Sequence, residues 1–205
     1  TGIFTVLELL KKSTDLNIIM LEKGRDLKQR TCRMNSGEIN KCDNCNYCSM
    51  VSGWGGAGAF SDGKLTLSTL IGGNLDQYIG REKLKDFIEY VDSIYLDFGA
   101  PERIYGVNED KKREIKEKAV KANLKFVPAN LRHLGTGYSQ QVLKNMQDYI
   151  LDKGVEIKFG KNVKEFILKN GDTAAGVKTD RGEEYYGKYV VVAPGRENAE
   201  WLSKK

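Results

Sequence analysis

Long apolar runs are missing from this 205-residue chain. The longest, around Ile18-Ile19-Met20-Leu21, falls far short of the roughly 20 residues that cross a bilayer. A charged-then-apolar leader is absent too, so no secretory signal is expected. Nor is charge of one sign concentrated: 33 basic and 28 acidic residues are interspersed and leave a net charge of +5. The densest basic stretch, residues 111–125, contains Glu114 and Glu117 and reads as a solvated helix, which argues against a nucleic-acid partner. All four cysteines fall within residues 32–48, unlike a secreted disulfide framework. These absences leave a soluble, cytoplasmic protein with no membrane contact. Its 40% hydrophobic and 30% charged residues suit an ordinary core. The length suits one domain, or one with an insertion.

The order of elements says more. Ile3, Phe4, Val6, Leu7, Leu9 and Leu10 repeat at helical spacing directly after Thr1-Gly2. Residues 17–21 form a short apolar run that suits a parallel strand buried on both faces. A helix leading into such a strand implies an earlier strand, because a crossover joins two strands. The chain is therefore expected to begin inside a βαβ unit and to be cut at both ends. After a loop-rich stretch, Leu84, Phe87, Ile88, Val91, Ile94, Tyr95 and Phe98 mark a helix stopped by Gly99. A polar helix is expected over 109–122. Ser139 is expected to cap a further helix carrying Val142, Leu143, Met146, Tyr149 and Ile150. Val155, Ile157 and Phe159 alternate as in a strand, and residues 163–168 and 174–178 should pair across Asn170-Gly171. A last strand, 185–192, should run into Ala193-Pro194-Gly195, followed by a short helix with Trp201 and Leu202. The expected fold is α/β, a discontinuous domain over 1–69 and 138–205 with a mixed α+β insertion over 70–137.

Three groups of residues carry candidate chemistry. Glu22 stands at the end of the strand at 17–21, where a carboxylate can accept hydrogen bonds from a ribose diol, and Gly2 would let the first helix pack closely and aim its N-terminus at a pyrophosphate. Ser52 to Lys64 is glycine-rich, with Gly53, Gly55, Gly56 and Gly58 leaving backbone N–H groups free to converge on an anion or a flat ring. Trp54 and Phe60 set it apart from a flexible linker. Third, a buried strand ending at Ala193-Pro194-Gly195 would let backbone pass close to a cofactor.

Together these resemble the two-dinucleotide-binding flavoproteins, with Glu22-Lys23-Gly24 similar to their ribose-binding strand end and residues 190–195 to their alanine-threonine-glycine strand, Pro194 replacing the threonine. Residues 52–67, 98–101 and 132–136 resemble more specifically a little-characterised prokaryotic group of FAD-dependent dehydrogenases. The resemblance implies a Rossmann-like FAD/NAD(P)-binding domain over 1–69 and 138–205, FAD as cofactor and a small-molecule substrate, with NAD(P)H a candidate electron donor. It implies cofactor contacts at Gly2, Glu22, Lys23, Gly55, Gly56, Ala57, Ser61, Ala193 and Gly195, and backbone beside the adenine at Val163.

Cys32, Cys42, Cys45 and Cys48 follow C-x9-C-x2-C-x2-C, enough thiolates for tetrahedral zinc or an iron–sulfur cluster, with free surface thiols or an adventitious disulfide as the alternatives. His133, the only histidine, is a candidate proton donor to substrate. The leading reading is thus a piece of an FAD-dependent oxidoreductase. Two others stay open: a cysteine-cluster metal or redox module on an α/β scaffold, and a tRNA-modifying flavoprotein. Nothing in the pattern sets the oligomeric state.

Overall fold

The computed structural model describes residues 1–13, 15–195 and 199–203. In chain order the elements begin with α1 (Gly2–Lys12), β1 (Ile19–Glu22), a 3₁₀ turn at Leu27–Gln29, a second at Gly56–Phe60, β2 (Lys64–Thr66), α2 (Asp76–Ile79), α3 (Arg81–Asp97) and β3 (Ile104–Tyr105). They continue with α4 (Glu109–Lys121), β4 (Leu131–His133), α5 (Gly135–Asp152), β5 (Glu156–Phe159), β6 (Val163–Lys169), β7 (Thr173–Thr179), β8 (Glu184–Tyr186) and α6 (Ala199–Ser203). The chain is mixed α/β and divides into two compact units, one of Thr1–Ala59 with Met146–Lys205, the other of Phe60–Asn145.

In the first unit β1 and β5 pair in parallel, Ile19 opposite Glu156 and Glu22 opposite Phe159. The apolar run at 17–21 was expected to be buried on both faces. Instead Ile19 is 41% exposed and Met20, Leu21 and Glu22 are half-buried. Among the described residues this parallel sheet has two strands, so each strand keeps a free edge. The core here is Val6 and Leu7 of α1, Trp54, Met146 and Ile150 of α5, Val155 and Val177.

β6, β7 and β8 form an antiparallel meander in the same unit. The Asn170-Gly171 hairpin forms as expected. The connection has three residues, Asn170 to Asp172, and the first two take positive φ, 58° and 86°, which asparagine and glycine tolerate best. The strand expected over 185–192 is corrected: β8 ends at Tyr186. Residues 189–194 have no regular structure, and Tyr189 and Val191 are exposed. Apolar β-branched residues make a strand only where a neighbouring strand supplies ladder bonds, and here the described residues supply none.

In the second unit β4 lies between β2 and β3, antiparallel to both. Helix α3 ends as its sequence implies. Gly99 takes φ 92°, and the Gly99 and Ala100 N–H groups reach back to Leu96 O and Tyr95 O. Asn108 caps α4 by accepting the Lys111 N–H at 2.9 Å. Ser139 is not a cap. Helix α5 starts at Gly135, placing Ser139 buried in its second turn.

Arg132 organises this unit. It is 2% exposed, and its guanidinium donates Nε and Nη2 to the two carboxylate oxygens of Asp92 on α3, at 2.6 and 2.7 Å. Nη1 donates to Pro101 O. The Asp92 hydrogen bond raises the arginine's pKa above its ordinary value, with burial opposing.

Candidate functional site

The strand-end acid is where the first unit concentrates its chemistry. Glu22 closes β1, and its Oε1 accepts the Gly24 N–H at 2.8 Å and the Gly53 N–H at 3.0 Å. One carboxylate oxygen thus ties the turn after β1 to the start of the glycine-rich segment, 31 residues away in sequence. The two backbones meet almost without a gap. A Cβ on Gly24 would lie 2.3 Å from the Gly53 nitrogen, and one on Gly53, whose φ is 112°, would lie 2.5 Å from Arg25 O. Only glycine permits this approach.

Arg30 locks the junction from beneath. It is 4% exposed, and donates Nε to Ser49 O at 2.8 Å and Nη1 to Trp54 O at 2.6 Å. Burial lowers its pKa, while the charges of Glu22 and Cys48 oppose that shift. Trp54, 2% exposed, sets its ring edge against Phe159 at the end of β5, with centroids 6.5 Å apart. Asp26 caps the first 3₁₀ turn through Lys28 N–H and accepts Gln147 Nε2 at 2.7 Å.

Above this junction opens a cavity of about 270 Å³. Lys23, Gly24 and Arg25 line it from the turn after β1, Gly160 from the turn after β5, and Tyr47 and Arg181 from neighbouring loops. It sits at the carboxyl ends of two parallel strands, where open α/β sheets place ligands. Three cationic side chains on its wall favour an anionic occupant.

A polar triad holds one side of the cavity. Tyr47 donates Oη to Asp180 Oδ2 at 2.7 Å, and Asn162 Nδ2 donates to the same oxygen at 3.0 Å. The Asp180 carboxyl is held below its ordinary range by these two hydrogen bonds, Tyr47's first, while the phenol of Tyr47 is raised. A depressed carboxylate stabilises the fold above its unfolded pKa of about 3.9, and that contribution is lost as pH falls through the lower folded value. Asp180→Asn is therefore expected to flatten the acid limb of a Tm-against-pH curve below about pH 4. An unchanged acid limb would remove Asp180 from the junction's pH response.

The other expected site residues are dispersed. Gly2 comes close to Ala193, an added Cβ standing 3.6 Å from the Ala193 Cβ, so those two candidates do meet. Lys23 lines the cavity. Gly55 and Gly56 take positive φ, 80° and 59°, in the bend leading into the second 3₁₀ turn, where Ala57 is exposed. Ser61 is exposed and accepts the Gly63 N–H. Val163 opens β6, and Gly195 is an exposed turn residue with φ 68°. His133 lies in the second unit, exposed on β4, its ring edge-on to Tyr105 with centroids 6.1 Å apart. Arg30 and Arg181 were not singled out from sequence; Arg30 ties the turn after β1 to Ser49 and Trp54, and Arg181 lines the cavity.

The cysteines do not form the expected cluster. Among the described residues no three His, Cys, Asp or Glu side chains are gathered as a metal would need. Cys42 and Cys45 are exposed free thiols, and Cys32 and Cys48 partly exposed ones. The loop between Cys32 and Cys42 is held by its own turn bonds, Ser36 N–H to Cys32 O and Glu38 N–H to Arg33 O, and by ion pairs from Arg33 to Glu38 and Asp43. Zinc or an iron–sulfur cluster does not fit this arrangement. No described helix is long and apolar enough to cross a membrane.

No known family profile matches the sequence, and no curated protein matches it. Among solved structures, the chain is similar to a 3-ketosteroid-Δ4-(5α)-dehydrogenase from Rhodococcus jostii RHA1 in complex with 4-androstene-3,17-dione, with TM-score 0.41 and 16% identity over 82% of this chain and 42% of that one. It is also similar to a thermally stable mutant of fructosyl peptide oxidase, with TM-score 0.38 and 14% identity over 89% of this chain and 50% of the other. Fructosyl peptide oxidase from E. terrenum gives TM-score 0.38 and 15% identity at the same coverage. The chain spans about half or less of the length of these structures.

Proposed function

We propose that the cavity at the ends of β1 and β5 receives the adenosine half of FAD, and that the chain is the Rossmann-like FAD-binding part of an oxidoreductase. The observation that carries this reading is the Glu22 junction, in which an acid at a parallel strand end is oriented by two glycine N–H groups beside a cavity lined by Lys23, Arg25 and Arg181. The donor set fits the group. Glu22 Oε1 is engaged by backbone, and Oε2 is the atom to accept from the ribose diol. Lys23, Arg25 and Arg181 complement the phosphates.

The rest of the expected contacts belong to the same reading. Gly2 gives α1 close packing against Ala193 at its N-terminal end, and Gly195 follows in the next turn. The backbone of Gly55, Gly56, Ala57 and Ser61 would face pyrophosphate or flavin, with the Gly56 N–H itself given to Gly53 O, and the Val163 backbone would face adenine. His133 would donate a proton to a small-molecule substrate, with NAD(P)H as electron donor. When bound, the flavin supplies hydride transfer at N5, and the chain's part is to bind and orient it.

Glu22→Gln tests the reading with little risk to the fold, because the amide oxygen can still accept from Gly24 and Gly53. It should weaken FAD binding by about 1–3 kcal/mol, the usual cost of stranding a polar partner. Arg25→Gln with Arg181→Gln should weaken FAD binding and flatten its dependence on ionic strength. Undiminished FAD affinity in both variants would remove the cavity from the cofactor site.

A further inference from the structure

A second cavity, of about 380 Å³, lies wholly within the other unit, between β3 and the first two turns of α4. Its walls divide sharply by chemistry. Ile104, Val107, Ile115 and Phe126 supply an apolar lining, while Arg103 and Lys111 stand at its edge. The guanidinium of Arg103 is 4.6 Å from the centroid of the Tyr105 ring, so a cation is fixed over an aromatic wall of the same cavity. Among the described residues no carboxylate forms an ion pair with Arg103 or Lys111, whereas Lys112 is taken by Glu109 at 2.7 Å.

Part of this apolar lining is left to solvent: Ile115 is 48% and Val107 56% exposed. Exposed apolar surface rimmed by polar and charged residues is a feature of binding sites. The volume falls within the range of small-molecule pockets, about 300–1,000 Å³. The backbone there is also fitted closely. Gly106 takes φ 80°, and a Cβ on it would lie 2.5 Å from Ala129 O, so the cavity's floor depends on glycine at that point.

We infer that this cavity binds an amphipathic anion, a molecule with a flat or branched apolar body and one carboxylate or sulfonate-like group. The body lies against Ile104, Tyr105, Ile115 and Phe126, and the anionic group meets Arg103 and Lys111. The site is distinct from the cofactor cavity of the first unit and does not depend on it.

Fluorescence titration of the whole protein with anilinonaphthalene sulfonate, and with the uncharged phenylnaphthylamine as its neutral counterpart, tests the inference. Arg103→Gln with Lys111→Gln, both at the cavity's edge, should weaken the sulfonate by about tenfold or more, as the loss of charge-assisted contacts implies. The neutral probe should change by less than about twofold. Ile115→Asp should weaken both probes, with circular dichroism unchanged. Failure of the wild-type protein to bind the sulfonate would overturn the inference. So would equal loss of both probes in the double variant, or sulfonate binding that neither variant alters.

Discussion

Asp92→Ala is expected to destabilise the protein by about 3–5 kcal/mol, the largest single-residue effect anticipated here. Asp92 is the carboxylate partner of Arg132, whose guanidinium is 2% exposed and donates two hydrogen bonds to it. Removing the carboxylate leaves a buried cation that, among the described residues, retains only Pro101 O as an acceptor. Taking out both charges is a different experiment. Arg132→Met with Asp92→Leu replaces the pair by apolar volume and should recover most of the loss, because desolvating two ions costs nearly what their attraction returns. Urea denaturation of the single and double variants measures this directly. Equal destabilisation of the two would show that the stranded guanidinium is not the source of the loss.

Gly24→Ala should cost about 3 kcal/mol and disrupt the proposed cofactor site at the same time. The added methyl would stand 2.3 Å from the Gly53 nitrogen and 2.6 Å from its Cα. These are backbone atoms, tied in place by Glu22 Oε1 and by the Trp54 N–H to Arg25 O bond, so they cannot rotate away as a side-chain tip would. Gly37→Ala makes a sharp control: Gly37 takes φ 79° but a Cβ there meets nothing within 4 Å. That variant should cost only the roughly 1 kcal/mol of an unfavourable φ. Comparable losses at Gly24 and Gly37 would mean that close backbone approach contributes nothing.

Local physics made much of this architecture readable. The Asn170-Gly171 hairpin, the Gly99 stop of α3 and the polar helix α4 each depend on residues a few positions apart, and each lies where its pattern puts it. Long-range pairing was less visible. Glu22 was readable as a strand-end acid, but its Gly53 partner lies across a loop of no fixed period. Arg132 and Asp92 are 40 residues apart, and an arginine between Leu131 and His133 looks like an ordinary strand residue until β4 is flanked on both sides. The strand expected over 185–192 fails for the converse reason, since β-propensity without a partner strand makes no ladder. For the cysteines, spacing sets which thiolates could share an ion, but the turn bonds and ion pairs of the intervening loop decide where they stand.

The central claim is that the first unit recognises the adenosine side of a flavin dinucleotide through Glu22. Titration of the protein with FAD, FMN and ADP-ribose, in wild type and in Glu22→Gln, tests it most directly. FAD and ADP-ribose should bind and compete with each other, FMN should bind far more weakly, and Glu22→Gln should weaken the first two by about fivefold or more. FMN binding as tightly as FAD, or Glu22→Gln leaving both adenosine ligands unaffected, would contradict the account.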